Sequence, residues 1–378
     1  MPKQKIFPPV FERIEDWPIF KLHQNRKDFV RKIEQHTLKR LMHGNIQKTT
    51  AEIAKTIYRE RIRIKEEPWK VDPPNEEQFW KRVRSRLVRR SLDKSDKQAR
   101  AANEKILKQI IHRYAEEIVG TFKISTFQFA RRFLTAFFNR LLNTAAHRNW
   151  SRLFGTKYHL YDRIKVFGEI ETVRELFKKG AVVVVPTHFS NLDSILIGYA
   201  MDTITGFPSP FYGAGLNLYN TGYTAYFMNR LGAYRIDRRK KNPIYLETLK
   251  ATSNLAIQQG TNALFFPGGT RSRSGAIETK LKLGMMGTVV EAQRSLCQES
   301  SDRKVFIVPL VLGYHYVLES RSLIEQYLRS TGKENYLPVK DESTSFRKLS
   351  RFIWSLFSAS NDIILSIGEP MDVLGNRV

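Results

Sequence analysis

The chain has 378 residues, enough for one large domain or a core domain with a helical extension, and its 42% hydrophobic and 12% aromatic content excludes wholesale disorder. A formal charge of +26 implies a habitual polyanionic partner, a description that nucleic acid and an anionic membrane surface both meet. The single cysteine, Cys297, excludes an internal disulfide framework and a Cys-rich metal site, fits a reducing compartment and reads as an inert buried thiol.

In chain order, the opening MPKQKIFPPVFERIEDW has no apolar stretch of secretory length, and nowhere do about eighteen apolar residues run without charge. The expectation is a cytoplasmic protein whose membrane contact is peripheral. Residues 1–150 read as a basic, mostly helical region. From about Phe29 to Trp150 apolar residues recur three and four apart, interrupted by a loop around EEPWKVDPPNEEQ, which predicts three or four helices. The stretch Ile118 to Ala146 is strongly amphipathic. Phe127, Ala130, Phe133, Leu134, Phe137, Phe138, Leu141 and Leu142 fall along one stripe, while Arg131, Arg132 and Arg140 lie off it. Two readings stand: a helix packed on the core domain, or a helix lying on a membrane surface.

Residues 151–378 read as an α/β domain, in which a mixed, partly parallel sheet is flanked by helices. After Gly180 come short β-branched runs: AVVVVP at 181–186, SILIGYAM, LGAYRID, then a helix near Ile244 to Gln259 and the strand of NALFFPGG. A helix near Leu283 to Leu296 precedes the run VFIVPLVLGY. FRKLSRFIWSLFS reads as an amphipathic helix and DIILSIGEP as a last strand.

Three segments carry chemistry. In VVVVPTHFSNLDSILIGYA, His188 and Asp193 stand five positions apart directly after a buried strand, where α/β folds place function. An imidazole there can take a proton from an attacking hydroxyl while the carboxylate fixes its tautomer. Ser190 and Asp193 also fit a capping box for the helix that follows, so capping and catalysis both account for Asp193. In LFFPGGTRSRSG, Gly268, Gly269 and Thr270 precede Arg271, Ser272 and Arg273. Consecutive glycines let backbone N–H groups converge on an anion, and arginine adds bidentate bonds to phosphate; a glycine turn with solvated arginines is the other reading. LGAYRIDRRKK places Arg235 and Arg238 at a strand end with Arg239, Lys240 and Lys241 beyond, a pattern most often a solvated face.

Taken in order, these segments and VPLVLGY resemble the glycerol-3-phosphate and 1-acylglycerol-3-phosphate acyltransferase family over about residues 160–370. That family has a histidine and an aspartate separated by four residues after a hydrophobic strand, matched by His188 and Asp193. A glycine-containing strand ending in arginine is matched by Gly232 through Arg238. Phe266, Pro267, Gly268, Gly269, Thr270, Arg271 and Ser272 stand against Phe-Pro-Glu-Gly-Thr-Arg-Ser. A proline in a hydrophobic strand looks like Pro309, and Ile367 to Pro370 is similar to a closing strand of many members. Gly268 departs from the family's glutamate and leaves that role vacant; Glu278 is the nearest acidic residue downstream.

The resemblance implies an O-acyltransferase of phospholipid biosynthesis with His188 as general base and Asp193 as its orienter. The acyl donor is acyl-CoA or an acyl carrier protein thioester, with no cofactor besides and no metal. A phosphate-bearing acceptor falls to Arg238, Gly269, Thr270, Arg271, Ser272 and Arg273, with Lys280 and Lys282. Glycerol 3-phosphate is favoured over lysophosphatidate, because a small acceptor must be held almost wholly by its phosphate and these cations are dense. Partners would be the acyl carrier and an anionic membrane surface on its cytoplasmic side. Two rivals stand. One is a nucleic-acid-binding protein, motivated by KRVRSRLVRR at 81–90 but without a recognisable binding fold, so nucleic acid is not an expected partner. The other is a catalytically silent lipid binder, motivated by Gly268.

Overall fold

The computed structural model of the chain describes residues 4–43, 45–90, 96–146, 161, 164–189, 193–269, 281, 283–314, 328 and 363–378. The chain forms two compact units, each assembled from separate stretches. The first comprises Met1–Trp17, Ile124–Pro210 and Asn262–Val378, the second Pro18–Lys123 and Phe211–Thr261.

The first unit is a mixed α/β structure. Its strands are β1 (Ile164–Gly168), β2 (Gly180–Pro186), β5 (Ala263–Leu264), β6 (Lys304–Tyr314) and β7 (Ile363–Ile367), in the order β1-β7-β6-β2-β5. β2 runs parallel to β6 from Gly180 opposite Lys304 to Pro186 opposite Leu310, and parallel to β5 on its other edge. Only the β6–β7 pair of this unit is antiparallel among the described residues. Ala181, Val182, Val183 and Val184 are all buried, as a parallel strand covered on both faces requires. Helix α7 (Ile170–Lys179) buries Ile170, Val173, Leu176 and Phe177, an i, i+3, i+6, i+7 stripe.

Helix α8 (Asp193–Thr203) contains SILIGYAM, which the sequence placed among the β-branched runs. Leu196, Ile197, Tyr199, Ala200 and Met201 are buried, so no polar face marks the helical period. Helix α11 (Met286–Gln298) buries Thr288, Val289, Ala292 and Leu296. Cys297 falls off that face and is exposed, contrary to the buried thiol expected.

Helix α6 (Ile124–Ala146) belongs to this unit and begins six residues later than the amphipathic stretch that starts at Ile118. Its inward contacts are made by Phe127, Arg131, Thr135 and Phe138. Phe127 meets Trp17 edge-on at 5.0 Å, Thr135 and Tyr199 share a 2.8 Å hydroxyl hydrogen bond, and Phe138 packs on Tyr199. Arg131 lies 3.4 Å from Asp202, whose burial pushes its carboxyl up to about 6 against the pull of that guanidinium. Phe129, Phe133 and Phe137 instead stack ring on ring along another side, with Phe129 and Phe133 exposed. The apolar stripe read from the sequence is therefore divided: Phe138 faces the core, Phe133 faces out, and Arg131 turns in. Arg140, Leu141 and Leu142 have side chains outside the described residues.

The second unit holds α1 (Pro18–Gln24), α2 (Arg26–Met42), α3 (Ile46–Glu66), α4 (Glu76–Arg90) and α5 (Asp96–Ile118) with β3 (Phe211–Gly215), α9 (Gly222–Met228), β4 (Ala233–Ile236) and α10 (Pro243–Gln258). β3 and β4 are parallel, from Tyr212 opposite Ala233 to Gly215 opposite Ile236. Asn242 caps α10 by accepting the Tyr245 N–H at 2.8 Å, and Pro243 occupies the first helical position, where no N–H is needed. Among the described residues, five helices (α2 to α6) span 26–146 where three or four were expected. The division into compact units does not fall at residue 150, because α6 joins the α/β unit and Phe211–Thr261 joins the helices. FRKLSRFIWSLFS lies outside the described residues.

Candidate active site

The end of β2 positions the site of the first unit. The Thr187 N–H donates to Leu310 O at 3.1 Å and the Thr187 hydroxyl accepts from Leu312 N–H at 3.3 Å, tying the strand's exit to β6. The chain leaves the sheet at His188 and re-enters regular structure at Asp193, the first residue of α8. Asp193 is fully buried, and its Oδ2 takes two donors: His188 Nδ1 at 2.8 Å and the Phe189 N–H at 2.7 Å. Accepting from Nδ1–H leaves Nε2 as the basic atom of the ring and stabilises an imidazolium that forms. The His188 side chain keeps 20% exposure, enough for a substrate to reach it. One carboxylate thus holds both the imidazole and the backbone N–H of Phe189, while Ser190, the other member of the capping box, lies outside the described residues.

β5 supplies the opposite wall. Its pairing with β2 continues through Phe265 N–H to Val184 O at 3.0 Å, which brings the next residue beside His188. The Phe266 ring stacks on the imidazole with centroids 4.1 Å apart and planes 29° from parallel. Sequence reasoning gave Phe266 no role of its own; the Phe-Pro at a strand end was the signal available. Beyond it the chain turns through buried Gly268, and Gly269 takes φ +67° while its N–H returns to Phe266 O at 3.0 Å, a conformation suited to glycine. Thr270, Arg271, Ser272, Arg273, Glu278, Lys280 and Lys282 lie outside the described residues, as do Ser190, Asn191 and Leu192.

Arg238 belongs to the second unit, in the segment after β4. That segment is not the solvated charge run its composition suggested. Asp237 is buried and accepts from Arg239 N–H and Nε–H at 3.0 Å each. Arg239 also reaches Asp72 at 2.5 Å and donates to Glu67 O at 2.6 Å. Lys240, 2% exposed, pairs with Glu117 at 2.6 Å, a carboxyl that burial pushes up despite this ammonium. The Asn242 amide donates to Glu60 and Tyr114 at 2.8 and 3.0 Å. Arg63 holds the acidic side together, with Glu60, Glu76 and Asp72 at 2.7, 2.7 and 3.0 Å. Asp237, Arg239, Lys240 and Asn242 are thus fixed, and Arg238 and Lys241 are the exposed side chains of the segment. The sequence held no sign of this, because the partners come from α3, α5 and the loop between α3 and α4.

Among the described residues no group of three or more His, Cys, Asp or Glu side chains is arranged to hold a metal ion. None of the described helices is long and apolar enough to cross a membrane.

The mixed α/β unit thus places a histidine, backed by a buried carboxylate, at the carboxyl end of a parallel strand, where α/β folds place function. Residues 163–313 match the Acyltransferase family model. Among curated proteins it is similar to glycerol-3-phosphate acyltransferase of Pseudomonas aeruginosa (strain UCBPP-PA14), 26% identical over 290 residues, covering 76% of this chain and 30% of that protein. The proteins of that name from Alteromonas mediterranea and Aeromonas hydrophila are 27% and 28% identical over 271 and 270 residues, covering 71% and 70% of this chain and 29% and 30% of theirs. The chain thus spans about 30% of the length of the curated relatives it matches. The solved 1-acyl-sn-glycerophosphate (LPA) acyltransferase, PlsC, of Thermotoga maritima is 15% identical with a TM-score of 0.33 over 88% of each chain, a level of likeness that carries no argument.

Proposed function

We propose that this protein is a glycerolipid O-acyltransferase that moves a fatty acyl group from acyl-CoA or an acyl carrier protein thioester to glycerol 3-phosphate. The observation that carries the reading is the His188–Asp193 hydrogen bond, which leaves Nε2 as a base beside an accessible site. The acceptor hydroxyl gives its proton to Nε2 as its oxygen attacks the thioester carbonyl. The tetrahedral intermediate expels the sulfur, the C–S bond breaks, and the imidazolium returns the proton to the leaving thiolate. Ester and free thiol are the products, and the step balances without a resident cofactor or metal. Cys297 has no part in it.

Glycerol 3-phosphate is preferred as acceptor because the relatives that match over most of this chain carry its name. Its phosphate is assigned to Arg238 and to the segment Gly269, Thr270, Arg271, Ser272 and Arg273, with Lys280 and Lys282 in support. The protein works at the cytoplasmic face of an anionic membrane, met by the Phe129, Phe133 and Phe137 ladder of α6 and drawn by the charge of +26. Nucleic acid has no role in this reading.

The deciding experiment offers purified protein glycerol 3-phosphate and 1-acylglycerol 3-phosphate at equal concentration, with long-chain acyl-CoA or acyl carrier protein thioester. Predominant formation of 1-acylglycerol 3-phosphate is expected. Preferential consumption of the lysolipid moves the acceptor assignment and leaves the His188 mechanism in place; no transfer from either donor defeats the enzymatic reading.

A further inference from the structure

The second unit contains a cavity of about 490 Å³ built entirely from its own residues, and its wall is cationic. Arg26, Lys123, Arg230 and Arg235 all reach it. Two carboxylates reach it as well, but each has a partner: Glu116 binds Arg26 at 2.6 Å and Glu117 binds Lys240 at 2.6 Å. What remains is Lys123, Arg230 and Arg235, none of which pairs with a carboxylate among the described residues. Arg230 lies over the Tyr226 ring at 4.0 Å and donates to Tyr226 O at 3.2 Å. Arg235 lies over Tyr219 at 4.5 Å, reaches Asn229 Oδ1 only at 3.5 Å, and keeps a buried Nε–H with no acceptor.

The backbone fixes this crowding. Residues 121–123 run antiparallel to 229–232, joined by Thr121 N–H to Asn229 O at 3.1 Å, Lys123 N–H to Arg230 O at 2.9 Å and Gly232 N–H to Thr121 O at 2.9 Å, with a bridge between Phe122 and Leu231. That register puts Lys123 directly opposite Arg230. A Cβ on Gly120 would stand 2.3 Å from Ala233 O, so the two segments are pressed together where they begin. Like charges directly opposite in an antiparallel pair are destabilising, and among the described residues no carboxylate pairs with either. A bound anion would offset them.

We propose that this cavity binds a phosphomonoester group through Lys123, Arg230 and Arg235. The volume lies in the range of small-ligand sites, and guanidinium forks match phosphate oxygens two at a time. A doubly charged phosphate suits three cations better than a single carboxylate does. The group can come from a soluble phosphorylated compound or from a phosphatidate headgroup. The proposal stands apart from the acceptor assignment, which uses Arg238.

Titration of the full chain with inorganic phosphate, followed by ³¹P line broadening, tests it. Saturable binding is expected, weakened about tenfold or more by Arg235→Gln, the loss of one strong charge-assisted bond, and partly restored by Arg235→Lys. Lys123 is exposed, so Lys123→Gln should fold as the parent does and still weaken binding. Arg238→Ala should leave a saturable phosphate site. Unchanged binding in folded Lys123→Gln and Arg235→Gln overturns the proposal, and so does its complete loss in Arg238→Ala. Sedimentation with phosphatidate and with phosphatidylcholine vesicles separates the sources: a phosphatidate preference that falls in Lys123→Gln assigns the site to a lipid headgroup, whereas a preference unchanged in Lys123→Gln alongside Lys123-dependent phosphate binding assigns it to a soluble phosphate.

Discussion

At the scale of single residues, the Asp193 carboxylate holds both the imidazole of His188 and the backbone N–H of Phe189, so its loss has two consequences of different kinds. His188→Ala removes only the base. Turnover should fall about a hundredfold or more, with the thermal midpoint close to the parent's, because an imidazole open to the site contributes to the transition state rather than to the core. Asp193→Asn should lower both turnover and midpoint, since a fully buried group loses its charge-assisted bonds. Measuring kcat and Tm on the same preparations checks this pair of expectations. Near-normal turnover by folded His188→Ala would defeat the mechanism, and a lowered Tm with intact turnover in Asp193→Asn would leave capping as that residue's whole task. Phe266 limits the imidazole from its face and holds the ring where the carboxylate can reach Nδ1.

Among the elements, α6 divides its phenylalanines between two environments. Phe138 is 3% exposed against Tyr199, whereas Phe129 and Phe133 are 57% and 49% exposed and form the stacked ladder with Phe137. The two groups should separate in experiment. Phe138→Ala removes a buried ring and should cost about 3–5 kcal/mol of stability. Replacing Phe133 and Phe137 together by Ser should leave the denaturation midpoint nearly unchanged and strongly reduce sedimentation with anionic vesicles. Unaltered vesicle binding by that folded double variant would exclude α6 as the membrane contact. The parent's binding should also weaken as salt rises, since the charge of +26 acts through screened Coulomb attraction.

For the molecule as a whole, the second unit rests on a buried ionic network drawn from distant parts of the sequence. Glu60, Arg63, Asp72, Glu76, Arg113 and Glu117 come from α3 to α5 and their loop, and they meet Asp237, Arg239, Lys240 and Asn242 more than a hundred residues later. Removing one partner of such a group leaves uncompensated buried charge. Arg63→Met should therefore destabilise the protein by about 3–5 kcal/mol and loosen the segment that carries Arg238. Urea denaturation reads the first effect. The second appears as a raised KM for the phosphate-bearing acceptor with the KM for the acyl thioester little changed. Equal stability of Arg63→Met and parent would mean that the acidic residues reach solvent or other cations without Arg63.

Local pattern alone determined the strands β2, β4, β5, β6 and β7, the helices α10 and α11 to within a few residues, and the His188–Asp193 pair, because each depends on side chains close together in the chain. β2 is a run of buried valines, and a histidine five residues before an aspartate reaches it within one turn of the chain. SILIGYAM read both as one of the β-branched runs and as the helix that a Ser190–Asp193 capping box would start, since a helix buried on most sides has no polar face to mark its period. Nor could it divide the α6 stripe, for which Phe133 and Phe138 are equally apolar and only Trp17, Tyr199 and Asp202 decide which side turns inward. Arg239 and Lys240 read as solvated charge for the same reason: Asp72 and Glu117, which pair with them, lie more than a hundred positions away. Periodicity reports whether a side chain has an apolar neighbourhood along its own element. Which charges are buried, and against what, is settled only when distant segments pack together.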